Sequence, residues 1–461
     1  MTWRGNTFEC PPLDDLTRDD LLTQAKSACK YLIVNATTAD TFPIYNVVVS
    51  DKTGRHATLR KMSDSLEPQL EGACATTRVR ATIDEVSDFF YVDTPTKARE
   101  FSRVLGENVI DKKTLYSLID RPVVEASTEP YHYVGIEWTL LKNPGMPLRD
   151  LCYLDYHDEF SFVDKVTGDV RRGWARCMHS VDVDGCPDLE QRYGVIRATI
   201  VRSGHVFVET AVKGELEYNR VYFANPRGKV LKHFPQYFLN TYLKKYAINV
   251  LNLEEHFTTQ RIKTMLKAPI SQFHMKKSVS HCMICSSRFG WTSSKKQCRG
   301  CGCVTCGKCI SVWTVDLDAK TTIKVDLCYK CVSGENDNMT TASDVDSSQE
   351  HQSPTDRFSR PHSDPNMLGD HPRQYAPIVA ARPSHGRRSV SEGFVDEEPS
   401  VIMIQSPSQR GGDNHDEDED DNESGYRTIS PKQWRPSACG SAVAMRDVML
   451  TFRSDNSSLY L

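Results

Sequence analysis

The 461-residue sequence contains no apolar run of about 18 residues, the length that a membrane-spanning helix requires. Residues 1–15 lack the basic start and apolar core of a secretory signal. The formal net charge is only −4, so the whole chain is not the kind of polycation that binds nucleic acids. These absences predict a cytoplasmic protein with no membrane span and no nucleic-acid partner.

Motifs of the common enzyme classes are missing as well. The sequence has no Gly-x-Ser-x-Gly nucleophile elbow, no Walker loop, no His-Glu-x-x-His metalloprotease motif and no dinucleotide-binding glycine pattern. Because these motifs carry the nucleophile, the phosphate contacts or the metal of their enzymes, their absence favours a binding function. We therefore expect a protein without catalytic activity.

Cysteine is plentiful but unevenly distributed. Nine of the 16 cysteines lie between positions 282 and 331, and the others are scattered at positions 10, 29, 74, 152, 177, 186 and 439. In a reducing compartment, clustered cysteines are typically metal ligands and scattered ones are small apolar residues. The distribution therefore predicts a metal site rather than a disulfide framework.

Composition divides the chain into four parts. Residues 1–258 carry the apolar periodicity of a globular domain, 259–274 form a linker, and 275–333 hold the cysteine cluster. Residues 334–461 are rich in Ser and include the acidic run 413–423. Such a segment buries too little apolar surface to offset a chain entropy of about 1–2 kcal/mol per residue. We expect a disordered acidic and Ser-rich tail that binds protein partners.

The first 258 residues predict an α+β fold. Helical periodicity covers 19–36, begins again at 83 and returns at 96–105, while strand patterns occupy most of 113–213. After Pro235, apolar residues spaced by three or four predict a long helix, on a stripe formed by Leu239, Tyr242, Leu243, Tyr246, Val250, Leu253 and Phe257. The simplest assembly is a curved antiparallel sheet closed by this C-terminal helix.

The cysteine cluster contains four Cys-x2-Cys pairs, and eight thiolates are the complement of two tetrahedral structural zinc ions. Only four residues separate the second pair from the third, so these two pairs are not expected to hold the same ion. The spacing therefore predicts interleaved ligands. We assign one zinc to Cys282, Cys285, Cys306 and Cys309, and the other to Cys298, Cys301, Cys328 and Cys331. The ninth cysteine of the cluster, Cys303, is expected to be a free thiol.

Residues 298–309, Cys-Arg-Gly-Cys-Gly-Cys-Val-Thr-Cys-Gly-Lys-Cys, resemble the central C-R-x-C-G-x-x-[FV]-C-x-x-C signature of FYVE zinc fingers. That family binds phosphatidylinositol 3-phosphate on endosomal membranes through a basic strand and an adjacent apolar loop. The resemblance implies phosphoinositide contacts by Lys295, Lys296 and Arg299, and membrane insertion by Trp291 and Thr292.

The finger departs from the family pattern at several positions. Ser294 and Gln297 replace an arginine and a histidine of the basic strand, and the family's W-x-x-D and R-V-C motifs are absent. Charge still favours an anionic membrane, because residues 267–331 contain eleven lysines and arginines against three aspartates. The alternative is a protein-interaction scaffold whose zinc finger is purely structural.

Short matches in residues 80–255 resemble the START family of lipid-binding domains. They are Pro147–Leu154, Gly194–Gly204, and Asn225–Gly228 followed by Phe234-Pro235. The resemblance implies a helix-grip fold that encloses an apolar lipid ligand. One departure is Asp155, which stands six positions after Arg149 where the family often has an arginine.

Together these observations predict a non-enzymatic, zinc-binding peripheral-membrane adaptor or lipid sensor. Its expected partners are an anionic or phosphoinositide-containing membrane, such as that of the endosome, and an apolar lipid. Its expected cofactors are two structural Zn²⁺ ions.

Overall fold

The computed structural model describes residues 8–122, 130–142, 146–163, 168–228, 235–267, 274–291, 293–317, 321–333, 425–434, 449–454 and 458–460. All of them lie in one unit formed by residues 1–339 and 420–461. Within these ranges no helix is long and apolar enough to cross a membrane.

The α-helices are α1 Asp15–Thr38, α2 Ile83–Phe90, α3 Pro95–Leu105, α4 Glu190–Tyr193, α5 Pro235–Lys267 and α6 Tyr329–Ser333. Strands of the N-terminal region are β1 Ile44–Ser50, β2 His56–Ser63, β3 Glu71–Val79, β4 Val109–Ile119, β5 Tyr133–Leu141, β6 Arg149–Val163, β7 Val170–Ser180, β8 Ile196–Arg197, β9 Thr199–Ile200, β10 Ser203–Glu209, β11 Leu216–Tyr222 and β12 Ala224–Asn225. The remaining strands are β13 Lys296–Gln297, β14 Val304–Thr305, β15 Ile310–Asp316, β16 Thr322–Cys328, β17 Tyr426–Ile429, β18 Met449–Phe452 and β19 Ser458–Tyr460.

Local sequence signals set the ends of the short helices. Thr82 begins α2 with a capping box, since its hydroxyl accepts from Glu85 N and the Glu85 carboxylate accepts from Thr82 N. Thr94 caps α3, and Pro95 occupies the first turn, where its missing N–H costs nothing. Gly106 ends α3 at φ +60°, in the left-handed region that favours glycine.

One large sheet organises the N-terminal region. Its strand order is β17-β1-β2-β3-β11-β10-β7-β6-β18-β19, with β5 also paired to β6 and β4 paired to β5. These pairings are antiparallel, and the two-residue β8 pairs parallel to the start of β6. The antiparallel sheet predicted from the strand patterns is confirmed.

Apolar cores cover both faces of this sheet. On one face α1 packs Leu32 and Ile33 into a core that includes Phe160 of β6. On the other face α2, α3 and α5 enclose a second core around Trp174 and Phe207. Successive side chains point to opposite faces, so strands covered on both faces are buried at almost every position, as β5 and most of β6 are. The result is an α+β domain in which the long helix α5 closes one face.

Helix α5 confirms the predicted C-terminal helix and extends beyond it. Val250, Leu253 and Phe257 are buried against the sheet, as the apolar stripe predicts. The predicted side-chain positions at 239, 242 and 243 lie outside the described side chains. The helix continues to Lys267, so residues 259–267 of the predicted linker are helical. The next described residue after this helix is His274.

Two strand expectations need correction. Strand β11 was not predicted, although it lies inside the sheet between β3 and β10. It carries buried Asn219 and Arg220, polar side chains that obscure the apolar pattern of a central strand. Within the predicted strand region 113–213, residues 190–200 instead form the single-turn helix α4 followed by two short strands, β8 and β9.

Within the 334–461 tail, three short segments form the strands β17, β18 and β19. Strand β17 pairs with β1, and β18 pairs with the end of β6. Leu450 and Phe452 are fully buried, and Arg453 Nη1 lies 2.7 Å from Glu159 Oε2. These short apolar segments gain sheet hydrogen bonds at two open strand edges, which offsets their ordering entropy. Residues 334–424 and 435–448 lie outside the described residues.

Replacing Leu450 with alanine should measure how firmly the tail is attached. Removing this fully buried side chain is expected to lower the free energy of unfolding by about 2–3 kcal/mol, the lower part of the range for buried leucines, because a terminal strand can relax. Urea unfolding of the full chain tests this. Val163→Ala, on the same sheet edge but 46 % exposed, should cost less than about 0.5 kcal/mol. Equal stability of the two variants would contradict a docked β18.

Candidate functional site

Two groups of four cysteines meet in the region after α5. In each group the four sulfur atoms lie within 4.8 Å of one another. The first group is Cys282, Cys285, Cys306 and Cys309, and the second is Cys298, Cys301, Cys328 and Cys331. The interleaved arrangement predicted from the spacing is confirmed. Cys303 belongs to neither group.

Distances between the sulfur atoms fit zinc rather than disulfides. Cys285 Sγ lies 3.8 Å from Cys306 Sγ in the first group. In the second group, Cys298 Sγ lies 3.6 Å from Cys331 Sγ, and Cys301 Sγ lies 3.7 Å from Cys328 Sγ. A tetrahedral site with Zn–S bonds of about 2.3 Å has sulfur–sulfur edges of about 3.8 Å, whereas a disulfide bond is about 2.05 Å long. Both groups therefore hold structural Zn²⁺ ions.

Backbone amides support the sulfur ligands in both groups. Cys306 N–H donates to Cys282 Sγ, and Cys328 N–H donates to Cys298 Sγ, each over 3.3 Å. The hydroxyl of Ser287 lies 3.2 Å from Cys285 Sγ. Such contacts orient the thiolates and spread their negative charge, as the outer partners of metal ligands do. Backbone N–H groups at Cys306 and Cys328 therefore help to hold a sulfur ligand of each zinc site in position.

The second zinc site is packed against the end of helix α5. Ile262 and Met265 of this helix join an apolar cluster with Trp313 and Leu327 of the β15–β16 hairpin. Gly300 makes the approach feasible, since a Cβ at this position would lie 2.5 Å from Met265 Sδ. One helix therefore contributes both to the core of the N-terminal domain and to the core of the finger.

The predicted phosphoinositide residues have different surroundings. Lys295 Nζ donates to the carbonyls of Val279 and Lys276 at 2.7 and 3.1 Å, and lies 5.2 Å from the centre of the Phe289 ring. Lys296 Nζ lies 3.3 Å from Asp326 Oδ1, a partner that the sequence analysis missed. Lys295 therefore ties the basic strand to the segment before the first cysteine.

Arg299 is exposed, and within the described ranges its guanidinium has no hydrogen-bond or ion-pair partner. Its backbone N–H donates to Asp326 O at 2.8 Å, so Arg299 and Lys296 both adjoin the same aspartate. Gln297, which replaces a family histidine, donates to His274 O and Gly302 O at 2.7 and 3.1 Å. Gln297 therefore holds the finger together by bonding to the backbone.

Two large apolar side chains project from this part of the finger. Trp291 has a relative exposure of 107 %, the largest of any apolar residue in the described ranges. Met275, which the sequence analysis did not single out, is 72 % exposed in the turn whose Lys276 carbonyl accepts from Lys295. The second predicted insertion residue, Thr292, lies outside the described residues.

The N-terminal domain encloses a cavity of about 580 Å³ between the sheet and helix α5. Helix α5 contributes Tyr246 and Asn249, and the α3–β4 connection contributes Gly106 and Glu107. The apolar part of the wall includes Phe42, Met62, Leu141, Leu151, Met178 and Ile200. A cavity of this volume lies within the range of about 300–1,000 Å³ found for small-molecule sites.

A buried ion pair lies in the middle of the sheet. Asp155 on β6 accepts from Arg176 Nε and Nη2 of β7 at 2.8 and 2.7 Å, and His157 Nε2 lies 3.0 Å from the same carboxylate. Burial opposes ionisation, but the charge of Arg176 nevertheless holds the pKa of Asp155 well below its usual value. Burial lowers the pKa of His157 to about 4. Asp155 is therefore the buried counter-ion of Arg176 on the neighbouring strand.

Comparisons with solved structures concern the N-terminal region. It is similar to human StAR-related lipid transfer protein 5, with 12 % identity, a TM-score of 0.36, and coverage of 52 % of this chain and 96 % of that chain. A second similar structure is the human StarD13 (DLC2) lipid transfer and protein localization domain, with 15 % identity, a TM-score of 0.28, and coverage of 53 % and 98 %. A Xanthomonas axonopodis STAR-related lipid transfer protein fragment gives 15 % identity, a TM-score of 0.28, and coverage of 45 % and 96 %.

Sequence comparison concerns the finger. No curated protein matches the chain in sequence. Residues 272–336 match the family model of the FYVE zinc finger, and this range contains all eight cysteines of the two zinc sites. This segment of the chain is a FYVE zinc finger with two structural zinc ions, and it follows an α+β domain built on one large, mainly antiparallel sheet.

Proposed function

We propose that this chain is a non-enzymatic peripheral-membrane adaptor or lipid sensor. The finger binds the surface of an anionic or phosphoinositide-bearing membrane, such as that of the endosome, and the cavity of the N-terminal domain holds an apolar lipid. The observation that carries the membrane part is the full exposure of Trp291 next to the basic strand of a FYVE zinc finger. The cavity of about 580 Å³ supports the lipid part.

Apolar exposure supports insertion into the membrane interface. Trp291 and Met275 both leave large side chains in water, and both flank the contacts of Lys295. Tryptophan is favoured at membrane–water boundaries because its ring is apolar and its N–H is polar. We propose that these two side chains, together with Thr292, enter the interface while the basic strand faces the headgroups.

The three basic side chains, Arg299, Lys296 and Lys295, have different roles in the proposed attraction to the membrane. Arg299 is available for a headgroup without losing a partner within the described ranges. Lys296 exchanges Asp326 for a phosphate at low cost, because both side chains are more than a third exposed and such pairs contribute little. Lys295 stabilises the segment before Cys282 through its hydrogen bonds to the Lys276 and Val279 carbonyls, and it adds positive charge to the surface. Each basic residue near an anionic leaflet contributes roughly 1 kcal/mol.

Substitutions at Trp291 and Arg299 test this surface. Arg299→Ala should weaken binding of the zinc-loaded full chain to phosphatidylserine vesicles about fivefold, and Trp291→Ala about tenfold. Co-sedimentation at physiological salt measures both. The matched controls are Lys213→Ala and Val212→Ala in the β10–β11 turn, which remove one exposed charge and one exposed apolar group elsewhere. Binding losses equal to those of the controls would rule out the proposed surface.

The second candidate function is a protein-interaction scaffold with a purely structural finger. The ordered tail strands β17 and β18 favour it, since they show that segments of the tail add to strand edges of this sheet. The remaining Ser-rich and acidic tail is proposed to bind protein partners. Failure of the wild-type chain to sediment with any vesicle would favour the scaffold over the membrane function.

A further inference from the structure

The volume of the cavity limits the size of its ligand. About twenty non-hydrogen atoms, each taking about 30 Å³ as a water molecule does in the liquid, occupy about 600 Å³. The cavity measures about 580 Å³. A two-chain phospholipid has more than twice as many atoms, whereas a single-chain amphiphile has about this number.

Arg220 is a charged side chain in the wall of this cavity. It lies on β11 with a relative exposure of only 3 %. Its Nη2 donates to Glu107 Oε1 at 2.9 Å, and its guanidinium lies 4.0 Å from the centre of the Tyr246 ring. Its Nη1 is buried and has no hydrogen-bond acceptor within the described residues. A buried donor without an acceptor is destabilising, so its retention calls for an explanation.

The charge of the wall shows which acceptor would fit. Four basic residues line the cavity against two acidic ones, namely Lys61, Arg149, Arg220 and Lys245 against Glu71 and Glu107. Of these two acidic residues, Glu107 forms an ion pair with Arg220 in the described part of the chain, and its side chain is 28 % exposed. The wall therefore carries an excess of positive charge beside its apolar surface, a combination that favours an amphiphile with a negative head.

We propose that the cavity binds a single-chain amphiphile with an anionic head, a carboxylate or a phosphate, and that Arg220 receives this head. The inference rests on the proposed function, in which the cavity holds a lipid. A planar guanidinium offers two parallel N–H groups to such a head. The ring of Tyr246 shields the guanidinium, so this ring moves aside when the head enters. The chain of the ligand then lies along the apolar wall formed by Leu141, Leu151 and Met178.

Three ligands with the same oleoyl chain test the head group on the delipidated full chain. Oleate carries a carboxylate, oleoyl lysophosphatidate carries a phosphate, and monoolein is uncharged. Calorimetry should show at least one of the two anions binding about tenfold or more tighter than monoolein, with the tighter anion identifying the head chemistry. Arg220→Met should reduce the affinity for that anion to the level of monoolein. Lys245→Met, at an exposed wall residue, should change it less than threefold.

Glu107→Gln provides a second test that leaves Arg220 in place. It removes the competing carboxylate, so the preferred anion should bind more tightly while monoolein is unaffected. Equal affinities for all three ligands in the wild type would overturn the role of Arg220 and leave the proposed lipid function intact. Binding of none of them, nor of a two-chain phospholipid, would contradict the lipid function itself. Tighter binding of a two-chain phospholipid than of oleate would overturn the single-chain assignment.

Discussion

Replacing Cys298 with serine should lower the zinc content from two ions per chain to at most one and unfold the hairpin β15–β16. Zinc in small modules contributes on the order of 10–16 kcal/mol to folding. The apolar cluster of the finger includes Cys298 itself and three other ligands of the same ion. The small cluster around Trp313 is too limited to keep the hairpin folded once this ion is lost. Mass spectrometry for zinc, with hydrogen exchange over Ile310–Asp316, measures both effects.

Cys303→Ser is the matched control for this experiment. Cys303 lies between the ligand pairs but outside both tetrahedra, so its replacement should leave two zinc ions and an unchanged exchange rate. The interleaved assignment would be wrong if Cys298→Ser retained both ions, or if Cys303→Ser lost one. Hydrogen exchange near Met265 should also rise in Cys298→Ser, because the end of α5 packs on the same cluster.

Replacing Asp155 with alanine should lower the free energy of unfolding by about 3–5 kcal/mol. The substitution leaves the buried guanidinium of Arg176 without its counter-ion. Asp155 and Arg176 have relative exposures of 1 % and 2 %. Urea unfolding of the N-terminal domain within the full chain measures the loss. Lys52→Ala, which removes an exposed ion pair with Glu255, should cost less than about 1 kcal/mol.

The double variant Asp155→Leu with Arg176→Met separates pairing from packing. Because it removes both charges, it should recover most of the stability that Asp155→Ala loses. The pKa of Asp155 lies well below its usual 3.8 in the folded protein, so the wild type keeps this contribution above about pH 4 and loses it as the pH falls further. If Asp155→Ala were as stable as the wild type at pH 7, the ion pair would contribute nothing to the free energy of unfolding.

The zinc ligands could be assigned from sequence because spacing alone restricts them. Four residues between Cys301 and Cys306 leave little choice of partner, and the structure shows the expected groups. The antiparallel sheet and the helix α5 were predictable for a similar reason, since apolar periodicity reports which face is buried. In each case the information is local in the chain.

What could not be predicted depends on contacts between distant residues. Strand β11 was missed because Arg220 is charged, and its burial depends on Glu107 and Tyr246 from other elements. The ion pair between Lys296 and Asp326 joins two strands thirty positions apart. The tail strands β17 and β18 are ordered by the open edges of β1 and β6, which no property of the tail itself reveals.

The most direct test of the membrane function is selective sedimentation of the zinc-loaded full chain. Vesicles containing phosphatidylinositol 3-phosphate, other phosphoinositides or phosphatidylserine would be compared at matched total charge and physiological salt. We predict binding to anionic vesicles and none to neutral ones. Preference for the 3-phosphate would indicate that Lys296 and Arg299 recognise it specifically. Equal binding at matched charge would indicate that they act only as a basic patch. No sedimentation with any anionic vesicle would contradict a membrane-binding finger.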